Sequence, residues 1–263
     1  MEWWQNYFDE IYLKLYSPKV DNPKRIKREV DFIEKALNLK EDMKILDLAC
    51  GQGRHAIELA KRGYNVVGLD YSDYLLNVAK ERTREEKVKV KFVKGDMRNL
   101  PFENEFDAIY NMFTSFGYFS DEDNFKVLKS VHRALKPGGK FLLDIVNIFW
   151  LVKNFQHEMW LKTENLICLE QNEFNPVNMR CTNKRIVFEK GKEIDQKEHT
   201  VRCYTAGEIS FLMKLAGLEV EKIYGDYDLN EYSLDKRRLI IIAKAIKGNK
   251  RQNLEYVGEN EKV

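Results

Sequence analysis

The sequence predicts an α/β fold, in which a mostly parallel sheet carries an antiparallel sheet inserted late in the chain. Two patterns indicate this fold. Between residues 43 and 147, strand-like apolar runs alternate with helix-like runs, as in βαβ units around a parallel sheet. From 151 to 204, strand-like runs follow one another directly. The turn sequences NPVN and EKGKE separate them, which favours an inserted antiparallel sheet.

The individual elements follow in chain order. In the alternating region the predicted strands are 43–49, 64–70, 88–96, 106–112 and 140–148, and the predicted helices are 54–63, 72–85 and 121–136. Within the insert the predicted strands are 166–174, 180–189 and 200–204. A helix at 206–217 and strands at 218–225 and 238–246 then resume the alternation.

An aromatic-rich segment precedes the sheet. Residues 2–16 are predicted to form one helix, because Trp4, Phe8, Ile11 and Leu15 fall at helical spacing. The sequence Asp-Asn-Pro at 21–23 starts a second helix. The predicted units are N-terminal helices covering the ligand site (1–38), a catalytic core (39–150 and 205–247), the inserted sheet (151–204) and a frayed polar tail (248–263).

Composition narrows the class of protein. The net charge of +2 over 263 residues provides no strong basic field, so a nucleic-acid partner is not expected. The four cysteines include no CxxC pair and no metal spacing, so we expect no metal site and a reducing, cytoplasmic location. No signal-peptide pattern and no apolar run of about 18 residues is present, so we expect no membrane segment.

Polar residues follow the ends of four predicted strands. Asp47, Asp70, Asp96 and Asn111 stand at these ends, and ligands of open α/β sheets bind beyond the carboxyl ends of the strands. The sequence therefore predicts one ligand site at this edge of the sheet.

The glycine loop in LDLACGQGRHA fits two kinds of ligand. The spacing Gly51-x-Gly53-x-x-Ala matches the relaxed dinucleotide fingerprint. Asp70 suits a ribose diol, and Asp96 beside Met97 suits an adenine, so NAD and other adenosine ligands fit equally. Asp47, four residues before Gly51, would repel a pyrophosphate and suits a cationic group such as the ammonium of S-adenosylmethionine.

Five segments in motif order resemble the class I S-adenosylmethionine-dependent methyltransferases. They are LDLACGQGRHAIELA, VVGLDYS, VKGDMRNLPF, FDAIYNMFTSFGYF and LKPGGKFLLDIV. The resemblance implies a Rossmann-like, seven-stranded sheet with its last strand antiparallel. It also implies S-adenosylmethionine as cofactor and S-adenosylhomocysteine as product.

The resemblance also implies roles for individual residues. It puts Asp47, Ala49, Gly51 and Gly53 around the methionine part of the cofactor, Asp70 and Tyr71 at the ribose, Asp96 and Met97 at the adenine, and Asn111 against the cofactor. The first motif is similar to that of glycine N-methyltransferase, a small-molecule enzyme in which an upstream arginine holds the cofactor carboxylate. Arg25 is the positional match, with Arg28 as second choice.

The remaining candidates concern the acceptor and the covering of the site. Tyr12 and Tyr16 are candidates for attracting the sulfonium through their ring faces, and the alternative is a helix that merely packs over the sheet. The candidate substrate residues are Thr114, Ser115, Arg202 and Tyr204. Arg202 and Tyr204 could instead hold the insert against the core. The candidate general bases are His157, Glu158 and Tyr204. We expect the N-terminal helix and the insert to close over the cofactor as a lid.

These observations favour methyl transfer to a nitrogen or oxygen of a small molecule. An RNA or protein methyltransferase is the alternative, but no basic face is visible. NMFTSF also stands where many nitrogen methylases of nucleobases and glutamine carry Asn/Asp-Pro-Pro-Tyr/Phe. An NAD-dependent oxidoreductase is disfavoured by Asp47. A cofactor-binding protein without catalysis is a further alternative, and the sequence does not determine the oligomeric state.

Overall fold

Seven strands form the central sheet of the computed structural model, which describes residues 2–246. Numbered along the chain, they are β1 (Lys44–Leu48), β2 (Asn65–Asp70), β3 (Lys91–Lys94), β4 (Phe106–Asn111), β5 (Leu135–Val146), β10 (Leu218–Tyr224) and β11 (Arg238–Ala245). Their spatial order is β10-β11-β5-β4-β1-β2-β3. Strand β11 runs antiparallel to both of its neighbours, and the other neighbouring pairs are parallel. The predicted Rossmann-like sheet with its last strand antiparallel is therefore confirmed.

Seven α-helices accompany the two sheets of the described residues. They are α1 (Glu10–Val20), α2 (Pro23–Leu37), α3 (Arg54–Lys61), α4 (Asp73–Glu85), α5 (Asp121–Ala134), α6 (Ile148–Lys153) and α7 (Ala206–Leu215). Several helices begin at a side-chain cap: the hydroxyls of Ser72, Ser120 and Thr205 accept hydrogen bonds from backbone N–H groups of the first turn. Within residues 2–246 no helix combines the length and apolarity needed to cross a bilayer.

The predicted N-terminal helix is wrong in its bounds. The chain forms a short 3₁₀-helix at Trp3–Gln5 and starts α1 only at Glu10, because the Asp9 carboxylate caps the backbone N–H of Tyr12 at 2.9 Å. The second predicted start is correct, since Asn22 caps α2 and Pro23 occupies its first position. Residues 248–263, the predicted tail, lie outside the described residues.

The central sheet is apolar on both faces. Along β11, Leu239 and Ile241 join one hydrophobic cluster, whereas Ile240 and Ile242 join the other. Helices α5 and α7 contribute to the first cluster, and α2 and α3 contribute to the second. This two-sided burial explains why β11 is a continuous apolar run.

The insert forms an antiparallel sheet, as predicted, and two of its four strands match the predicted strands at 166–174 and 180–189. The four strands are β6 (Glu158–Lys162), β7 (Leu166–Asn175), β8 (Arg180–Glu189) and β9 (Lys192–Arg202), paired in chain order. Strand β6 and helix α6 were not predicted, and β9 starts eight residues before the predicted strand at 200. The charged side chains of KEIDQKEHT conceal β9, because much of this strand faces solvent.

A glycine contact joins the small sheet to the core. The backbone N–H of Arg202, at the end of β9, donates to the carbonyl of Gly117 in the loop after β4, at 2.8 Å. Gly117 has a φ of +104°, and a Cβ there would lie 2.4 Å from the Arg202 carbonyl oxygen. The sequence therefore needs glycine at this position for the two sheets to meet.

We expect Gly117→Ala to destabilise the protein by about 2 kcal/mol or more, because both the backbone conformation and the contact with Arg202 oppose a side chain. Urea denaturation followed by circular dichroism measures the change. Gly207→Ala is the matched control, since a Cβ there meets nothing within 4 Å. Equal stability of the two variants would contradict this account of the junction.

Candidate active site

A cleft of about 1050 Å³ opens at the carboxyl ends of β1 to β4, beneath the N-terminal segment. It brings together ten residues predicted for the site from distant parts of the chain: Tyr12, Tyr16, Asp47, Ala49, Gly51, Asp70, Tyr71, Asp96, Met97 and Ser115. The parallel strands produce this convergence, because their carboxyl ends meet at one edge of the sheet.

The loop between β1 and α3 is a tight turn in the left-handed region. Ala49, Gly51 and Gly53 have φ values of 61°, 56° and 76°. A Cβ on Gly53 would lie 3.0 Å from the ring of Phe92, so Gly53 lies against the sheet, whereas Ala49 and Gly51 line the cleft. The loop can therefore bring its backbone close to a ligand.

Asp70 at the end of β2 orders this loop. Its Oδ2 accepts from the backbone N–H of Gly51 at 2.8 Å, and its Oδ1 accepts from Ser72 N–H at 2.9 Å. Burial raises the pKa of Asp70 above its ordinary value, although the backbone hydrogen bonds oppose the shift. The carboxylate is thus part of both the loop and the cleft wall.

Asp47 is a buried carboxylate with an unused acceptor. Its side chain is buried at the floor of the cleft, and its Oδ2 has no hydrogen-bond partner within residues 2–246. Burial raises the pKa of Asp47 to about 7, while nearby Tyr110 and Arg54 favour the ionised form. An orphaned carboxylate in a cleft fits a ligand that brings a cation or a hydrogen-bond donor.

Asp96 lines the cleft, but its carboxylate is already engaged. It accepts from the backbone N–H of Arg98 at 2.9 Å and from the guanidinium of the same residue at 2.7 Å. Arg98 also bonds Asp123 at 2.8 Å and lies over the ring of Phe119. An adenine amine at this point would share Asp96 with Arg98.

Four predicted cofactor residues do not line the cleft, and Gly53, described above, is one of them. Asn111 is buried, and its Nδ2 donates to the carbonyl of Leu48 at 2.8 Å, which ties β4 to β1. Arg25 and Arg28 line a different cavity on the outer side of the loop after β4. The arginine in the cleft is instead Arg54, the first residue of α3. Its position directly after Gly53 was the signal in the sequence.

A buried ion cluster supports Arg54 from behind. Glu29, on α2, lies 3.3 Å from Nη2 of Arg54, 2.7 Å from Nε2 of His55 and 2.8 Å from Nε of Arg25. Burial alone would raise the pKa of Glu29, but the hydrogen bonds and the positive neighbours hold it at about 2. Glu29 therefore stays ionised and keeps the two arginines at the loop.

A second cavity of about 1280 Å³ adjoins the cleft, under the small sheet. Five aromatic residues line both cavities and form a shared wall: Phe8, Tyr12, Tyr16, Phe113 and Tyr118. Thr114 lines the second cavity, and Ser115 lines the cleft. The two predicted substrate residues thus lie on opposite sides of this wall.

The small sheet contributes a row of polar side chains to the second cavity. Asn172 on β7, Asn183 on β8 and His199 on β9 are register partners, so they share one face of the sheet. Asn183 donates to Oδ1 of Asn172 at 2.9 Å, and its own Oδ1 has no partner within residues 2–246. Glu170, on the same face, accepts from the hydroxyl of Tyr16 at 2.6 Å.

His199 is the histidine that the sequence did not place in the site. Its Nδ1 is buried and has no partner among the described residues, and its ring centroid lies 4.7 Å from that of Tyr7. Burial, with the positive charge of Arg185, lowers the pKa of His199 to about 4, so the ring is neutral near pH 7. The pairing of His199 with Asn183 across β8 and β9 would have indicated this position, but it joins residues that are distant in the sequence.

Four residues predicted for the acceptor side line neither cavity, which corrects their assignment. Tyr204 is buried, donates to Asp121 at 3.0 Å and accepts from Asn124 at 3.0 Å. Arg202 pairs with Glu208 at 2.7 Å and stacks on Tyr204, so both pin the insert to the core. His157 packs on Phe155, and Glu158 is exposed on the outer strand β6.

Known proteins resemble this chain over the same regions. The methyltransferase domain family matches residues 45–139. A putative methyltransferase, YqeM of Bacillus subtilis, is 28% identical over 216 residues, which cover 80% of this chain and 87% of that protein. The demethylmenaquinone methyltransferase of Staphylococcus saprophyticus is 39% identical over 111 residues, which are 41% of this chain and 46% of that protein. An S-adenosylmethionine-dependent methyltransferase structure from Clostridium acetobutylicum is 25% identical with a TM-score of 0.77, covering 92% of this chain and 99% of that one.

The chain belongs to the class I S-adenosylmethionine-dependent methyltransferases. It is a methyltransferase enzyme, and its cofactor is S-adenosylmethionine. The alternatives of an NAD-dependent oxidoreductase and of a binding protein without catalysis are therefore set aside.

Proposed function

We propose that the enzyme methylates a nitrogen or oxygen of a small molecule bound in the second cavity. The observation that carries this proposal is the shared aromatic wall, which brings the cofactor cleft and a polar cavity to the two sides of the same side chains. The names of relatives are consistent with small acceptors, since one methylates demethylmenaquinone by its name.

The cleft fits the cofactor on its own residues. The orphaned Oδ2 of Asp47 suits an ammonium, the Gly51 loop admits close approach, and Asp70 suits a ribose diol. Arg54 is the arginine placed for a carboxylate, in the role that the sequence suggested for Arg25. When bound, the cofactor supplies a methyl group already activated on a sulfonium.

The protein's own task is alignment and exclusion of water. The faces of Tyr12 and Tyr16 attract a positive charge in the shared wall, and the N-terminal segment covers the cleft. In the second cavity, the polar side chains of Asn183 and His199 can hydrogen-bond an amine or hydroxyl and fix its direction. Such alignment contributes several of the roughly 7–11 kcal/mol available from effective molarity.

Three of the predicted units of the chain have a role in this function. The residues before β1 and the inserted sheet form the acceptor cavity together and act as its cover, while the central sheet holds the cofactor. The four cysteines are free thiols, which supports a reducing, cytoplasmic location. An RNA or protein substrate is less well served, because the net charge of +2 provides no strong basic field for it.

Two measurements test the proposal. Calorimetric titration with S-adenosylmethionine and NAD should give saturable binding of the first alone. A labelled-methyl assay against a metabolite pool and against RNA should then label small molecules. Label found in RNA, or in protein, with none in small molecules would contradict the proposed acceptor class.

We expect His199→Ala to lower kcat/KM for the small acceptor by about tenfold to a hundredfold, because a hydrogen bond that directs the nucleophile is lost. Affinity for S-adenosylmethionine should stay unchanged, since His199 lines only the second cavity. The matched control is His157→Ala, which removes a histidine outside both cavities. Equal kinetics of the two variants would exclude His199 from acceptor binding.

A further inference from the structure

A third cavity of about 1520 Å³ continues outward from the second one. The two share Phe113, Trp150, Arg237 and Arg238, so an acceptor in the second cavity could extend into the third. The third cavity lies between the start of α2 and the segment that leads into β11.

All three carboxylates that line the third cavity are neutralised by ion pairs. Glu29 is held by Arg25 and Arg54 as described above. Asp226 pairs with Lys236 at 2.7 Å, and Asp235 pairs with Lys153 at 2.5 Å. The carboxylates of this cavity are therefore not available to bind a cationic ligand.

The positively charged side chains that line the third cavity outnumber the carboxylates that pair with them. Arg28 pairs with Asp228 and Arg238 pairs with buried Asp144, both residues outside the lining. Three side chains remain: Lys19, Lys24 and Arg237 line the cavity and make no hydrogen bond or ion pair to any other side chain within residues 2–246. The cavity thus carries an excess of positive charge that the protein itself does not compensate.

Arg237 is the cation at the boundary between the two cavities. Its guanidinium lies 5.2 Å from the centroid of the Trp150 ring, and Trp150 also lines both cavities. Arg237 is exposed, yet partial desolvation, together with the charges of Arg238 and Arg25, lowers its pKa, and the group stays charged. A planar guanidinium stacked on an aromatic ring keeps its donors free for an anion.

We propose that the methyl acceptor carries an anionic group, a carboxylate or a phosphate, which Arg237 binds with Lys19 and Lys24 at the mouth of the acceptor cavity. The reacting nitrogen or oxygen then lies at the inner end, beside His199 and Asn183, and the charged group lies at the outer end. That the bound anion is part of the methyl acceptor rests on the proposed function. The anion site itself rests on the charges of the third cavity.

Calorimetric titration of the full chain, saturated with S-adenosylhomocysteine, tests the site with two probes: inorganic pyrophosphate and citrate. We expect saturable binding of at least one probe, and the tighter probe distinguishes a phosphate from a carboxylate ligand. Arg237→Gln should weaken that binding about fivefold or more, the loss typical of a charge-assisted contact. Higher salt should weaken it further.

Lys129→Gln is the matched control, because it removes the same charge from a lysine of α5 that lines none of these cavities. Absence of saturable binding by the unmodified protein would overturn the inference, as would Arg237→Gln weakening it no more than Lys129→Gln. The labelled-methyl assay on the unmodified protein tests the proposed function separately, so the two failures are distinguishable.

Discussion

Replacing Asp70 with alanine is expected to lower the affinity for S-adenosylmethionine by about tenfold or more, which corresponds to about 1.4 kcal/mol. Two losses combine. The carboxylate can no longer accept from a ribose diol, and the N–H groups of Gly51 and Ser72 lose the oxygens that hold the loop in place. Calorimetric titration measures the change directly.

Asp70→Asn separates these two losses. The amide keeps the shape and one acceptor, but its NH₂ would face an N–H donor of the loop, so an intermediate affinity is expected. Asp42→Ala, at an exposed position remote from the cleft, serves as the control and should bind like the unmodified protein. Unchanged affinity in Asp70→Ala would remove this residue from the cofactor site.

Cofactor affinity is also expected to fall with pH below neutrality, because of Asp47. Burial raises the pKa of Asp47 to about 7, so the free protein carries an increasingly protonated carboxyl below that pH. Binding an ammonium requires the ionised form and releases the proton. Affinity should therefore drop about eightfold between about pH 7.5 and about pH 6, with the loss continuing until the pKa of the complex is reached.

The variant Asp47→Asn tests the origin of this dependence. It should bind S-adenosylmethionine weakly at both pH values and with little pH dependence, because the titrating group is gone. Asp70, whose pKa is raised too, remains in this variant and serves as the internal control. If the affinity of Asp47→Asn for S-adenosylmethionine still falls with pH, the effect belongs to Asp70 instead.

The sequence predicted well which residues meet at the cleft, for a physical reason. Each candidate there follows a strong apolar strand, and parallel strands end at a common edge, so Asp47, Asp70 and Asp96 had to converge. Local patterns and one topological rule were sufficient. Arg54 was missed although its position after Gly53 is local, because its role depends on the buried partner Glu29 from another helix.

The lining of the second cavity was predicted poorly, since it depends on contacts between distant segments. His199 and Asn183 become neighbours only through the register of β8 and β9, which no local pattern reveals. Tyr204 was predicted for the mouth of the site, but its hydroxyl is used by Asp121 and Asn124 in the core. Exposed charged residues also concealed β9 itself, so its inward face could not be assigned.

The shared aromatic wall is expected to couple cofactor binding to binding of the proposed acceptor. Phe8, Tyr12 and Tyr16 belong to one short segment, and each touches both cavities. If the acceptor binds in the second cavity as proposed, whichever ligand binds first restricts these shared side chains, and the second ligand then loses less side-chain entropy on binding. Cofactor and acceptor should therefore bind with positive cooperativity, and by reciprocity each should raise the affinity for the other by the same factor.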